Sequence, residues 1–217
     1  MDEPQAGGDR PDDGRTSTVV LVPPERLVRW VEGFRGRHGA TALAVVGGAL
    51  TGAAEDGSMF LARLPFAASY DGLPDAGAFA AAAAPPDEWG LLLVRKGGFA
   101  VGRLVGAAIV DSKVGQRHVQ SRSAAGGWSQ QRFARRREAQ AKGAYAAAAD
   151  HAARLLTGLG PVVTGGDRAA VAAVLLDRRL EGLRVVEPWL PVPDPRRSVL
   201  ESAVGEACSA RISVVNA

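Results

Sequence analysis

The sequence predicts an α/β domain, a mixed β-sheet flanked by helices, and three observations lead there. Short apolar runs of strand length follow one another through the first half of the chain. In the second half such runs alternate with helical stretches, the order that builds crossovers between strands. A length of 217 residues suits one domain, and 47% hydrophobic residues, many of them Ala, supply a core for it. Residues 1–17 are Asp, Gly, Pro and Gln without periodicity, which predicts a disordered tail. Residues 18–217 are then the single domain.

In order, residues 18–22 read as a short strand, and Pro23-Pro24 opens a helix over 25–37 with Leu27, Val28, Trp30, Val31 and Phe34 on its apolar side. Residues 42–50 and 59–64 are apolar runs of strand type, joined by 51–58, where Glu-Asp-Gly favours a turn. A short helix over 75–84 stops at Pro85-Pro86. Residues 91–95, 99–105 and 107–115 form a strand series, with Gly97-Gly98 marking a tight hairpin. After a long helix that ends near Gly158, residues 161–171 read as strand, turn and helix. A strand at 183–186, a helix at 194–207 and a strand at 211–215 complete the series.

Composition narrows the function classes. Net charge is only +3, yet the arginines are clustered, and a clustered basic surface points to nucleic acid. A lone Cys208 rules out a disulfide framework and fits a reducing compartment. There is no signal-peptide pattern and no apolar run near the roughly 20 residues that span a bilayer, so a cytoplasmic protein without membrane contact is expected. His38, His118 and His151 lack metal-ligand spacing. Asp111 is the single carboxylate placed as a metal nuclease would need one, and a nuclease needs several; neither metal nor cofactor is expected. Gly165-Gly166-Asp167, at a strand-to-helix turn, is read as a turn capped by Asp167 in preference to a phosphate site.

The most informative stretch is 117–142. Residues 117–122 alternate like a strand, and 123–127 are all small and end in Gly126-Gly127. Ser129 then caps a long basic helix. At about 100° per residue, Ala141, Tyr145, Ala148, Ala152, Leu155 and Leu159 share one stripe, while Arg132, Arg135, Arg136 and Lys142 lie opposite. Glu138 alone offsets the arginines at 132, 135, 136 and 137, so RNA phosphate contact is favoured over a plain solvated face. His118, just before the loop, is a further RNA-contact candidate. Trp128 either stacks on a base or packs the loop onto the domain.

Gly126-Gly127-Trp128-Ser129-Gln130-Gln131-Arg132-Phe133-Ala134-Arg135 resembles the Gly-Gly-Gln loop and following helix of the eukaryotic and archaeal class-1 peptide release factors. Their pattern runs Gly-Gly-Gln-Ser-x-x-Arg-Phe-x-Arg. The basic lead-in at 113–118 and Tyr145 also fall in place. Trp128 stands where those factors carry the catalytic Gln, and glutamine returns at Gln130 and Gln131. In this the stretch is similar to the Vms-type release-factor-like family, the ribosome-quality-control peptidyl-tRNA hydrolases, whose loop is rewritten but keeps a Gln. The likeness is specific over 117–146 and extends through the order of elements from about 40 to 215.

The resemblance implies a ribonuclease-H-like sheet, as in release-factor middle domains. It implies a peptidyl-tRNA ester hydrolase acting on stalled ribosomal complexes, with Gln130 and Gln131 as catalytic residues in a loop of Gly126, Gly127, Trp128 and Ser129. Its partners would be the peptidyl-transferase centre of the large ribosomal subunit and the tRNA 3′ end, not DNA. An aminoacyl ester is already activated, so a positioned water and a stabilised oxyanion suffice without a His-Asp or Cys-His pair. Two other readings share the fold: a non-catalytic ribosome- or tRNA-binding protein, and an enzyme that cleaves the tRNA near its 3′ end.

Overall fold

The computed structural model describes residues 17–116 and 127–217, with 116 and 127–140 described by backbone alone. The expected tail at 1–16, and the expected strand and loop at 117–126, lie outside the described residues; Ser17 already belongs to the first strand.

Two five-stranded sheets form. The first is built from β1 (Ser17–Val22), β2 (Thr41–Val46), β3 (Ala49–Ala54), β4 (Met59–Arg63) and β10 (Ala210–Val215), in the order β1-β10-β4-β3-β2, antiparallel throughout. Helices α1 (Leu27–His38) and α2 (Ala76–Ala82) cover one face of it. Leu27, Val31 and Phe34 are buried as their helical spacing predicts and Trp30 packs partly buried beside them, whereas Val28, expected on the same side, is exposed. The Phe34 and Phe60 rings meet edge to face at 5.0 Å. Asp75 caps α2 by accepting from the Ala78 amide at 2.9 Å.

The second sheet is mixed. It contains β5 (Glu88–Arg95), β6 (Gly98–Val105), β7 (Ala108–Gln116), β8 (Pro161–Gly166) and β9 (Arg184–Leu190), in the order β7-β6-β5-β8-β9. The hairpin strands β5, β6 and β7 pair antiparallel, while β5, β8 and β9 pair parallel. This strand order and orientation is ribonuclease-H-like. Helices α3 (Gly127–Leu156) and α4 (Arg168–Leu175) pack on one face, and α5 (Arg197–Ala207) packs on the other. Burial on both faces explains why β5 is an unbroken apolar run: Trp89, Leu91 and Leu93 point to α5, whereas Leu92 and Val94 point to α3 and α4.

The run at 42–50 is not one strand. Gly47 and Gly48, at φ of 56° and 74°, form a two-residue turn between Val46 and Ala49. Side chains resist positive φ at both central positions of such a turn, and glycine does not. The neighbouring turn sits at 55–58, as its Glu-Asp-Gly suggested, with the Asp56 carboxylate accepting from the Ser58 amide at 2.8 Å.

Helix α3 docks closely because its contact stripe is small. Ala148 and Ala152 are fully buried, and Leu156 nests over Gly90 of β5, where an added Cβ would lie 2.7 Å from a Leu156 methyl. Leu156→Ala should therefore cost about 2–5 kcal/mol. Leu176→Ala, at a side chain 83% exposed, should stay within about 0.5 kcal/mol. Urea titration reads both as shifts in midpoint at constant slope.

Candidate functional site

The direction of α3 is fixed by three contacts. Leu156 meets Gly90 near the start of β5. The His151 ring stacks on Phe99, the partner of Val94, at 5.7 Å. Tyr145 comes within the field of Asp167, just past the end of β8; desolvation first, and then that carboxylate, raises the pKa of its hydroxyl. The helix thus runs against β5, its C-terminal end at the strand's beginning. Thirty residues make a helix of about 45 Å, while the eight residues of β5 span about 26 Å. The surplus overhangs the carboxyl ends of β5 and β8, and the overhang is the N-terminal part of α3.

That part carries most of the residues singled out in the sequence. Among the described residues Gly127, Trp128 and Ser129 are already helical, so Ser129 lies within α3 and does not cap it. Nothing in Gly-Trp-Ser-Gln breaks a helix. Gln130 and Gln131 follow, about 100° apart around the axis. Arg132, Arg135, Arg136 and Arg137 lie on the next two turns, and Lys142 is exposed. Gly126 and His118 lie outside the described residues. From Ala144 onward the predicted stripe is seen packed, with Ala148, Ala152 and Leu155 buried.

Nearer the body, α3 is pinned by ion pairs. Arg154 donates to Asp111 of β7 at 3.1 Å, and Arg179 joins Asp150 of α3 to Asp177, each at 2.7 Å. The Arg179 hydrogen bonds hold the Asp177 carboxyl down at about 2. These pairs are solvent-exposed and contribute little stability each. They orient the helix. Asp111, the carboxylate weighed for a nuclease, is thereby committed to an arginine.

The remaining candidates have structural partners. His38 Nδ1 lies 2.9 Å from an Asp56 carboxylate oxygen; the Ser58 amide first, and then this contact, lowers the pKa of that carboxyl. Cys208 is buried, and desolvation pushes its thiol up to about 11, far from the thiolate a nucleophile needs. Asp167 accepts from the Ala169 and Ala170 amides at 2.9 and 3.2 Å, which makes it the N-cap of α4 as its spacing suggested. Among the described residues no three His, Cys, Asp or Glu side chains gather as metal ligands.

One arrangement had no signature in the linear sequence beyond a tryptophan in a chain with only four. The Arg168 guanidinium lies over the Trp189 ring, 4.4 Å from its centroid. Beside it Arg95 crosses Gly166, donates to the Val192 carbonyl at 2.9 Å and pairs with Asp194 at 3.5 Å. Arg168 follows β8, Trp189 lies in β9 and Arg95 ends β5, so all sit at the edge from which α3 overhangs.

Residues 87–213, more than half of the chain, match the family model described as Actinobacteria/chloroflexi VLRF1 release factor. The matched span begins just before β5 and takes in the whole mixed sheet and its helices. Among solved structures, the chain is similar to the Pelota protein of Archaeoglobus fulgidus at 13% identity and a TM-score of 0.28. The likeness covers 91% of this chain and 66% of that one, just under two thirds of its length. No curated protein matches in sequence. Among the described residues, no helix is long and apolar enough to cross a membrane.

Asp167→Ala should remove the cap and destabilise the protein by about 0.5–2 kcal/mol, with Asp167→Asn retaining most of it. Inorganic phosphate should not raise the thermal midpoint of the unaltered chain, since the Asp167, Ala169 and Ala170 amides at this turn are already occupied.

Proposed function

Because the chain belongs to the Actinobacteria/chloroflexi VLRF1 release factor family, we propose that it hydrolyses the ester of peptidyl-tRNA on stalled ribosomal complexes. One observation carries the reading toward the atomic level: Gly127-Trp-Ser-Gln-Gln lies in the N-terminal part of α3, the part that overhangs the body. A slender projecting helix suits entry into the peptidyl-transferase centre, where a folded domain does not fit. The first amides of any helix have no partner within it, and their dipoles favour negative charge. Set at the ester, they would stabilise the oxyanion that develops as water attacks. A glutamine amide would hold that water, and no ionisable group is required.

The arginines give the overhang its partner. Arg132, Arg135 and Arg136 fall on one side of α3, opposite the stripe that packs on the sheet, and Arg137 adds a fourth charge. Along a tRNA 3′ end they would replace condensed counterions on consecutive phosphates. Lys142 and His118 would extend that contact toward the body. Action on the ribosome would also put the chain in the cytoplasm.

Trp128, in the position where class-1 release factors carry their catalytic Gln, favours a second reading. Here the chain binds the same complexes without hydrolysing them. The products decide: ribosome-bound peptidyl-tRNA should yield free peptide and intact tRNA. Peptide that still carries nucleotides would indicate cleavage of the tRNA instead, and no reaction would leave a binding protein.

Gln130 is assigned the chemistry, being closer to the Gly126-Gly127 pair, and Gln131, 100° round the axis, cannot face the same ester. Gln130→Ala should lower the rate of peptide release at least tenfold with unchanged ribosome affinity, since positioning a water acts in the transition state. Gln131→Ala should cost less. The reverse order would transfer the role to Gln131, and two silent variants would remove the hydrolase assignment.

Separately, replacing Arg132, Arg135 and Arg136 together with Ala should weaken tRNA binding and flatten its salt dependence, by roughly one logarithmic unit for each phosphate no longer neutralised. An unchanged salt slope would make these arginines a solvated face and nothing more.

A further inference from the structure

The carboxyl edge of β5, β8 and β9 is where this sheet changes direction. From β5 the chain turns back into β6, and from β8 it crosses through α4 to β9 on the other side. Crevices that take ligands form at such points in α/β sheets. Here the edge carries three basic side chains, one of them held by a stacking contact. The Arg168 guanidinium lies over Trp189, which itself packs against the core beneath α3 and α4. Lys96 is exposed at the tip of the β5–β6 hairpin. Arg196 is exposed just before α5, two residues past Asp194, which approaches Gly97 of the same hairpin tip.

The acidic groups at this edge are each engaged by their own chain. Asp167 caps α4, Asp194 pairs with Arg95, and Glu187 accepts from the Trp189 amide at 2.6 Å. Among the described residues no carboxylate pairs with Lys96, Arg168 or Arg196. Arginine is the less hydrated cation, and one already stacked on an indole loses little freedom when a phosphate takes its outward N–H groups.

The same edge is the root of the α3 overhang. An RNA strand that follows the overhang toward the body arrives here, at the level of Tyr145 and Asp167. We infer that the edge formed by Lys96, Arg168 on Trp189, and Arg196 is a second RNA-backbone contact, which receives the part of the tRNA remote from its 3′ end. This rests on the tRNA reading proposed above and deepens it: the helix seats the end of the RNA, and the sheet edge holds what lies behind that end. Trp189 is the positioning residue, and the three cations make the contact.

The test uses the full chain and a deacylated tRNA labelled with a fluorophore, with affinity read by anisotropy across a potassium chloride series. Lys96, Arg168 and Arg196 replaced together by Ala should weaken binding and make the slope of log affinity against log salt shallower by about two to three units. The thermal midpoint should stay close to that of the unaltered chain, which separates weakened RNA binding from a failure to fold. Arg168→Lys keeps the charge without the planar guanidinium, so it should retain the slope while binding less tightly than the parent. An unchanged slope in the folded triple variant overturns the inference. If the Arg132, Arg135 and Arg136 variant loses tRNA in the same experiment, the reading of the helix survives that failure. If the unaltered chain does not bind tRNA at all, both readings fall.

Discussion

The parallel pairing of β5 with β8 is the constraint on which the rest depends. Gly90 to Val94 pair in register with Val162 to Gly166, and a parallel neighbour can be reached only by a crossover. The segment from β7 to β8 makes that crossover, and α3 is its return leg. The pairing therefore fixes which way α3 points and which end of it overhangs. It also places the end of β5 beside the end of β8, so that Arg95 crosses Gly166 and Asp167 donates its amide to the Val94 carbonyl at 2.8 Å. The overhang and the basic edge are two consequences of one strand register.

The packing of α3 follows from its composition. A helix bearing leucines along its whole contact face would stand farther from the sheet. Alanines at 144, 148, 149 and 152 let the backbone come close, and larger side chains from the sheet, Phe99 and Val101 among them, fill the space. The same alanines are strong helix formers, so the turns that support the overhang are favoured both by packing and by intrinsic preference. Arginines and glutamines at 130–137 keep that intrinsic preference toward the N-terminal end of α3.

Much of this was legible in the sequence. Among the described residues most strands and helices fall where the periodicities put them, the Asp167 cap forms as its spacing suggests, and Cys208 is buried. What escaped has physical causes. The turn at Gly47-Gly48 was hidden because apolar residues continue on both sides of it, so the run reads as one strand. The division into two sheets was hidden because pairing between distant strands leaves no mark on local pattern. Residues 59–64 and 211–215 each look like any half-buried strand, and nothing in either names the other as its neighbour. The Arg168–Trp189 stack joins positions on α4 and β9 that only the crossover brings together. The glutamines and arginines of α3 were singled out by motif and helical phase, which establish position along the axis and leave chemistry to experiment.

The place of β10 has a consequence for how the molecule is made. It lies between β1 and β4, hydrogen-bonded to both, although the whole second sheet separates it from β4 along the chain. A chain that leaves the ribosome from its N-terminus presents β1 and β4 long before β10 exists. Until then their facing edges have no native partner, and unpaired edges are the surfaces on which strands of other chains add. The mixed sheet needs nothing from the first sheet to complete its own ladder. During its own synthesis the protein would thus have a sheet that stays open in the middle until almost all of the described chain has emerged.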